Sequence, residues 1–407
     1  MDTVVNARDR ILKRMNWSKS HKVSEYLYLL GLTIYVLVSY TRGTMIVNNF
    51  GINIVSMTYA LYLGSFLVVL KILLYDDIFN WKYLACLILT IFFFSIGKQA
   101  KDFDLFYYFI FIIGANNIDF KRILKVFLVV NIVGIIITLG LVNLGLIKNV
   151  VITRTDSPAV RYSLGAIYPT DFAARIFFML VAYFCLKDYK LTIPQSISVF
   201  AIIILTYLIT DTRLDFLLML LAFVSVLLSD KVLKLLQKIS AKYVYIGTVG
   251  GIFLTIMLGY IYRPGNVLLD KINSLLSGRL FFEHIAFKDY NVDLLGQFVY
   301  QNGSGGGFKI TNYFFIDSSY VRYLLMYGLV GYISIVIILL LLERKLLNEK
   351  KYTILIAVIL VLLSSVIDQH ILGISYNIFL LALTANLSSL GEKGGLNQFA
   401  GSPNHSA

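Results

Sequence analysis

The chain has 407 residues, of which 58% are hydrophobic and only 14% are charged, and its mean hydropathy is +0.78. A soluble domain carries about 25% charged residues, so a chain this apolar cannot cover itself with a polar surface in water. Disorder, a coiled coil and a disulfide scaffold are excluded by the same figures, and Cys86 and Cys185 both lie inside apolar runs. The composition therefore predicts a polytopic membrane protein.

Twelve segments are apolar enough to cross a bilayer, which requires about 20 residues in a helix. They cover residues 24–41, 52–75, 82–97, 103–118, 123–147, 169–187, 193–210, 213–229, 243–262, 319–342, 352–368 and 370–390. Backbone polar groups cannot remain unpaired in lipid, so we expect an all-α fold of about twelve transmembrane helices. Minimal turns join 193–210 to 213–229 and 352–368 to 370–390, which predicts two tight helical hairpins.

Basic residues indicate the orientation of these helices. Clusters at 121–125, 231–242 and 344–351 all fall on the side that holds the N-terminus. Lys and Arg accumulate in short cytoplasmic loops, so this side is expected to be cytoplasmic, with both termini inside. The same rule explains the net charge of +13, and no nucleic-acid partner is expected. The predicted parts are a cytoplasmic segment 1–23, a transmembrane domain 24–390 and a disordered cytoplasmic tail 391–407.

Two outer loops, about 148–168 and 263–318, are too long to be simple connections. Within the second, residues 266–288 have apolar positions at roughly helical spacing, which predicts one or two amphipathic helices on the outer membrane surface. The glycine-rich stretch 303–307 follows. It is interpreted as a flexible hinge, with a substrate-gating loop as the alternative.

Arginines on the outer side form the most informative polar set. Arg154, Arg161, Arg213 and Arg279 all lie in outer loops or turns. Arginine binds phosphate through two parallel hydrogen bonds and does not lose its proton, so several arginines in one outward cavity suit a diphosphate. For Arg175 and Arg322, pairing with a nearby acid such as Asp171 is the simpler interpretation, although Arg322 is retained as a substrate-binding candidate.

Carboxylates and histidines complete the candidate set. Asp317 precedes a predicted helix, where it is either an N-cap or a general base near a sugar hydroxyl. Asp211 lies beside Arg213 in the turn between two helices. His284 and Tyr320 are candidates for substrate binding. The outer histidines are not spaced as a metal site, so no metal is expected.

Several stretches resemble bacterial oligosaccharide repeat-unit polymerases of the Wzy type. Residues 161–170 (RYSLGAIYPT) look like the Arg-x-Ser-Leu-Gly-Phe-x-His-Pro-Asn stretch of that family. The remaining similar stretches are the turn 210–213, residues 276–280 and 293–296 of the large loop, and residues 317–320 and 327–331 after it. Here the usual His-Pro-Asn reads Tyr168-Pro169-Thr170, so no role of that His or Asn transfers.

The resemblance implies a GT-C-like fold and a metal-independent glycosyltransferase that uses no nucleotide sugar or other cofactor. Such an enzyme transfers a growing glycan from undecaprenyl diphosphate to a new lipid-linked repeat unit at the outer face of the cytoplasmic membrane. Its partners are the lipid-linked oligosaccharide and membrane lipid, and a chain-length regulator protein is left open. The hypothesis is that Arg161, Arg213 and Arg279 hold the donor diphosphate with support from Arg154. Asp317 or Asp211 then orients or deprotonates the acceptor hydroxyl.

Two alternatives remain open at this stage. The first is an O-antigen ligase, although that related family places a His where this chain has Asp317. The second is a flippase or secondary transporter, which would need ionisable residues near the middle of the membrane and paired helix breaks. The polar residues here lie at the outer edge, which favours the polymerase.

Overall fold

The computed structural model describes residues 21–76, 80–153, 159–307 and 311–390. The C-terminal tail 391–407 and most of the N-terminal segment 1–23 therefore lie outside the described residues. The helices are α1 (His21–Arg42), α2 (Ile46–Asn49), α3 (Ile54–Tyr75), α4 (Trp81–Ala100), α5 (Asp104–Gly114), α6 (Phe120–Asn143), α7 (Pro169–Leu186), α8 (Ile193–Thr210), α9 (Arg213–Leu227), α10 (Ser229–Lys238), α11 (Ala241–Ile261), α12 (Val267–Leu275), α13 (Arg279–Asp289), α14 (Ser319–Asn348) and α15 (Tyr352–Ser364). A short antiparallel hairpin joins β1 (Val151–Thr153) to β2 (Val160–Tyr162).

The expected all-α, polytopic membrane architecture is confirmed at this level. In the described residues, eight helices are long and apolar enough to span a membrane, namely α1, α3, α4, α6, α7, α8, α11 and α14. Helix α9 reaches that length only together with α10, and the two are bent by 84°. Helices α5 and α15 have only 11 and 13 residues. The count of twelve spanning helices is therefore not confirmed.

The long helices run between two ends of the bundle. At the upper end, where α1 ends and α7 begins, the Arg161 side chain donates to the carbonyl of Thr210 at the end of α8. At the lower end, Lys71 Nζ of α3 donates to the carbonyl of Asn116, 2.8 Å away, just before α6. The predicted α8–α9 hairpin is present, with two residues between the helices and Tyr207 stacked on Phe216 across the turn.

The predicted transmembrane helix 370–390 is wrong. This segment contains only the 3₁₀ turns His370–Leu372 and Phe379–Leu383, and most of its residues are buried among the helices. Its backbone carbonyls accept hydrogen bonds from other elements: Lys345 Nζ donates to Ala382 at 3.0 Å, and Tyr108 Oη donates to Asn377. Non-helical backbone is tolerated at membrane depth only where protein covers it, and here the surrounding helices do so.

Helix α14 is broken at Gly328, where the long loop that precedes it docks against it. Gly328 has φ 70° and ψ 178°, a conformation essentially restricted to glycine. The opened backbone pairs with residues 293–297: Leu329 N donates to the carbonyl of Asp293 at 2.9 Å, and Gln297 N donates to that of Met326 at 3.0 Å. A Cβ at Gly328 would lie 2.3 Å from the backbone nitrogen of Gly296, so a side chain cannot fit without moving the loop.

Gly328→Ala is therefore expected to destabilise the protein by roughly 1–3 kcal/mol, because it combines backbone strain with a backbone clash. Thermal unfolding in detergent measures the effect. Gly250→Ala in α11 is the matched control, since a Cβ there would meet no atom within 4 Å. Equal unfolding temperatures for the two variants would contradict the proposed docking of the loop.

The two long loops are partly folded. One or two helices were predicted within 266–288, and the structure has two there, α12 and α13. No residue of α12 is buried, whereas α13 packs against α11 and buries Leu280, Glu283 and Ala286. The glycine stretch predicted as a hinge packs against the first long loop, where Gly306 N donates to the carbonyl of Ile167 at 3.2 Å.

Candidate functional site

A cavity of about 800 Å³ lies at the upper end of the bundle. Its walls come from β2, the start of α7, the α8–α9 turn, the region around α12 and α13, and the approach to α14. The turn after α15 contributes residues 368–370. The cavity is thus built from segments that are far apart in sequence, and four of the nine site residues that the sequence singled out line it.

Three predicted arginines meet in this cavity. Arg161 lies on β2, and its Nε donates to the carbonyl of Thr210 at 2.9 Å. Arg279 begins α13, and its Nε donates to the carbonyl of Ile367 at 2.8 Å. Arg213 begins α9 and is exposed at the cavity. These backbone contacts hold two of the guanidinium groups in place, and Arg279 Nη1 also donates to the carbonyl of Leu276 at 3.1 Å.

Asp317 lies in the same cavity and faces Arg279. Its Oδ2 is 3.6 Å from Arg279 Nε, and 36% of its side chain is exposed. The N-cap of α14 is Ser318, so Asp317 is not the helix cap that the sequence allowed. Burial raises the pKa of the Asp317 carboxyl, and the attraction of Arg279 and Arg322 opposes this rise.

Four further aspartates line the cavity, and the sequence did not assign them to it: Asp171, Asp215, Asp270 and Asp368. Asp171 and Asp215 lie in the first turns of α7 and α9, each within four positions of an arginine. Asp368 accepts a hydrogen bond of 3.0 Å from Ser364 Oγ, and burial raises its pKa to about 6. A signal for it was present: Asp368, Gln369 and His370 form a polar triplet between two apolar runs.

Two pairs of aromatic rings also face the cavity. Tyr168 lies beside Phe315, with ring centroids 6.5 Å apart, and Phe282 meets Tyr313 edge to face at 5.1 Å. Aromatic rings with polar neighbours present flat apolar surfaces next to hydrogen-bonding groups. This combination suits a ligand with both flat apolar faces and hydroxyl groups, as sugar rings have.

Four other candidates lie outside the cavity lining, and a fifth cannot be placed. Asp211 ends α8 in a left-handed conformation with φ 44°, and its neighbours Thr212 and Arg213 line the cavity in its place. His284 packs edge to face against the ring of Tyr262. Arg154 lies outside the described residues.

Tyr320 and Arg322 are held inside the protein by other contacts. Tyr320 is only 4% exposed, and its hydroxyl donates to the carbonyl of Leu362 at 2.7 Å, so the structure does not support the predicted contact with substrate. Arg322 Nη1 donates to Gln301 Oε1 at 2.7 Å, and Nη2 lies 3.9 Å from Asp102 Oδ2. For Arg322 the structure thus agrees with pairing to an acid, which was the simpler interpretation, rather than with substrate binding.

Arg175 is buried beneath the cavity. Its guanidinium lies between the rings of Tyr40 and Tyr376, 4.3 and 4.1 Å from their centroids. Nη1 donates to Asn131 Oδ1 at 2.8 Å and to the carbonyl of Ser375 at 3.3 Å. The structural role that the sequence favoured for Arg175 is thus supported, but its contacts are aromatic rings and neutral oxygens.

Glu283 is a buried acid on α13, beside the cavity. It is 2% exposed and packs against Gly259 of α11, where a Cβ would lie 2.4 Å from its Oε2. Burial raises the pKa of the Glu283 carboxyl to about 8, and the attraction of Arg279 opposes this rise. The folded protein therefore holds a proton on Glu283 that the unfolded chain releases above its ordinary pKa of 4.5.

Stability is expected to fall as the pH rises from about 5 to 8, because the folded state binds more protons than the unfolded state in this window. Glu283→Gln should make this slope shallower, since a neutral amide replaces a carboxyl that is protonated in the fold, while Asp368 and Asp171 still contribute to the slope. Unfolding temperatures measured between pH 5 and 8 test this. Each kcal/mol of unfolding free energy is expected to change the unfolding temperature by about 2–4 °C. Asp289→Asn, at an exposed position at the end of the same helix, is the control. An unchanged slope in Glu283→Gln would contradict the assignment.

Within the described parts of the chain, no group of three or more His, Cys, Asp and Glu side chains is arranged to hold a metal ion. Fold and site together define a mostly helical, multi-pass membrane protein with a polar cavity at one end of its helices. In comparisons with protein-family models, curated proteins and solved structures, no match to the chain was found.

Proposed function

We propose that the protein is a polysaccharide polymerase of the lipid-linked type. It transfers a growing glycan from undecaprenyl diphosphate to the non-reducing end of a new lipid-linked repeat unit. The reaction takes place in the upper cavity, at the outer face of the bacterial cytoplasmic membrane. The convergence of Arg161, Arg213 and Arg279 from three separate segments on one cavity is the observation that carries this proposal.

The arginines supply what a diphosphate leaving group requires. Negative charge grows on the diphosphate as the glycosidic bond to it breaks, and fixed cations stabilise that charge best in a preorganised site. Arg161 and Arg279 are held by backbone carbonyls before any ligand arrives. Asp317 lies 3.6 Å from Arg279 and orients that guanidinium. The aromatic pairs provide surfaces for the sugar rings of donor and acceptor.

The charge distribution supports an outward-facing cavity. The basic clusters at 231–242 and 344–351 belong to the lower end, where α10 lies and where Lys345 reaches the carbonyls of Ala382 and Ala385. Short cytoplasmic loops are enriched in Lys and Arg, so the lower end is assigned to the cytoplasm. The cavity at the upper end then opens on the side where lipid-linked glycans are polymerised.

Extension of a purified lipid-linked repeat unit by the purified protein in detergent or lipid vesicles tests the proposal. A polymerase produces a ladder of glycans that differ by one repeat unit, with the same yield when EDTA is present. Transfer to a lipid A core alone would identify a ligase. Movement of the lipid-linked repeat unit across the vesicle membrane, without formation of new glycosidic bonds, would identify a transporter. Either the ligase result or the transporter result overturns the proposal.

A further inference from the structure

His370 occupies a more defined position in the cavity than its isolation in the sequence suggests. Its Nε2 lies 3.7 Å from Oδ1 of Asp171, and both side chains line the cavity with 11% and 15% of their surfaces exposed. The imidazole is stacked on Tyr376, with ring centroids 3.7 Å apart and an angle of 8° between the planes. A carboxylate and an imidazole thus face each other next to the space where a substrate would bind.

A column of flat groups holds this histidine in place. Tyr376 separates His370 from the guanidinium of Arg175, which in turn lies over Tyr40. Arg175 is anchored by Asn131, so the column cannot slide. Stacking fixes the plane of the imidazole, and Asp171 Oδ1, 3.7 Å from Nε2, favours a hydrogen on that nitrogen when the carboxyl is ionised. Burial raises the pKa of Asp171 to about 7, and the charge of Arg175 opposes this rise.

We infer that His370 is the general base that removes the proton from the acceptor hydroxyl, and that Asp171 positions it. This assignment rests on the proposed polymerase function and goes beyond it, because the sequence suggested only Asp317 or Asp211 for this role. Asp317 faces Arg279 and is committed to orienting it. Asp211 does not line the cavity, whereas His370 does.

The chemical step balances without a further reactant. In the proposed step Nε2, the nitrogen that faces Asp171 at 3.7 Å, carries the hydrogen, and Nδ1 is the basic nitrogen. Nδ1 takes the proton of the acceptor hydroxyl while the hydroxyl oxygen forms a bond to the anomeric carbon of the donor glycan. The bond from that carbon to the diphosphate oxygen breaks, and its electron pair leaves with the lipid diphosphate. The imidazolium then returns its proton to the diphosphate or to water.

The charges around His370 suggest that the base becomes effective only when donor is bound. Burial and the positive charges of Arg175 and Arg322 lower the pKa of the imidazole to about 3, so it is neutral in the empty cavity. Asp171 on α7 and Asp368 in the preceding turn are the acids near it. A bound diphosphate adds negative charge to the same cavity, and an added negative charge raises the pKa of a nearby imidazole.

Variants of the pair separate catalysis from folding. His370→Gln and His370→Phe, which retains a flat ring for the stack, should each lower kcat for extension about 10²–10⁴-fold, as expected for loss of a general base. The KM for the donor should change little, because the arginines are untouched. Asp171→Asn should lower kcat less and shift the pH at which the rate is half-maximal. His284→Gln is the matched control and should retain the wild-type rate.

A result from the unsubstituted protein makes the test independent of variant folding. Diethyl pyrocarbonate carbethoxylates histidines, and mass spectrometry maps the modified positions. Extension activity should be lost in proportion to the modification of His370, and bound donor should slow that modification. Full activity of protein modified at His370, or near wild-type kcat in either folded His370 variant, overturns the inference. Wild-type protein that makes no polymer would overturn the proposed function itself, so the two failures are distinguishable.

Discussion

Replacement of any one of Arg161, Arg213 and Arg279 by alanine is expected to abolish long glycan chains, with kcat falling about 10²–10³-fold in each case. This is the usual effect of removing one preorganised donor from a site where charge develops. Arg→Lys variants should recover little activity, because an ammonium group cannot form the paired hydrogen bonds of a guanidinium. Chain-length distributions in cells and extension rates with the purified variants measure the effect.

Arg263→Ala is the matched control for these variants. Arg263 is exposed just after α11, at the same end of the bundle, and does not line the cavity. It should support normal chain lengths, and all variants should reach the membrane in normal amounts. Normal polymer in all three cavity variants would show that the arginines do not hold the diphosphate.

Arg175→Met is expected to lower the free energy of unfolding by roughly 2–5 kcal/mol, an effect on stability rather than on substrate contact. The change removes the cation between Tyr40 and Tyr376 and leaves the oxygens of Asn131 and Ser375 without their donor. Each buried acceptor left unpaired costs about 1–3 kcal/mol, and a desolvated cation–π contact contributes about 2 kcal/mol. Thermal unfolding in detergent measures the loss.

Arg122→Met supplies the comparison for Arg175→Met. Arg122 pairs with Glu25 at 2.6 Å, but its side chain is 54% exposed. An exposed ion pair contributes about 0–1 kcal/mol, so this variant should unfold close to the wild type. If Arg175→Met were equally stable, the stacked column would not be a structural support of the cavity.

Most of the fold could be predicted from the lengths of the apolar segments. Unpaired backbone groups are costly in lipid, so a long apolar segment must form a helix. The eight long helices and the α8–α9 hairpin were predictable for this reason. Segment 370–390 was not, because composition does not distinguish residues that face lipid from residues buried in protein. Polar residues such as Ser375, Asn377 and Thr384 within it were the available signal.

The candidate site was predictable in its cations and less so in its acids. Arg161, Arg213 and Arg279 stand out because they are among the few arginines on the predicted outer side of the chain. Asp171 and Asp215 each have an arginine within four positions in the sequence, and this nearby partner concealed their place in the cavity. His370 appeared isolated because its partner Asp171 is 199 positions away, and only the packing of the bundle brings them together.

The non-helical path of residues 370–390 has a consequence for biosynthesis. A segment whose backbone bonds depend on Lys345 and Tyr108 cannot enter the lipid as an independent helix. It can adopt this path only after α5 and α14 have assembled, so segment 370–390 closes the bundle after those helices are inserted. Because His370 begins this segment, the cavity is completed only at that final stage of assembly. In a protein that has not finished folding, the cavity therefore contains Arg161, Arg213 and Arg279 but lacks His370.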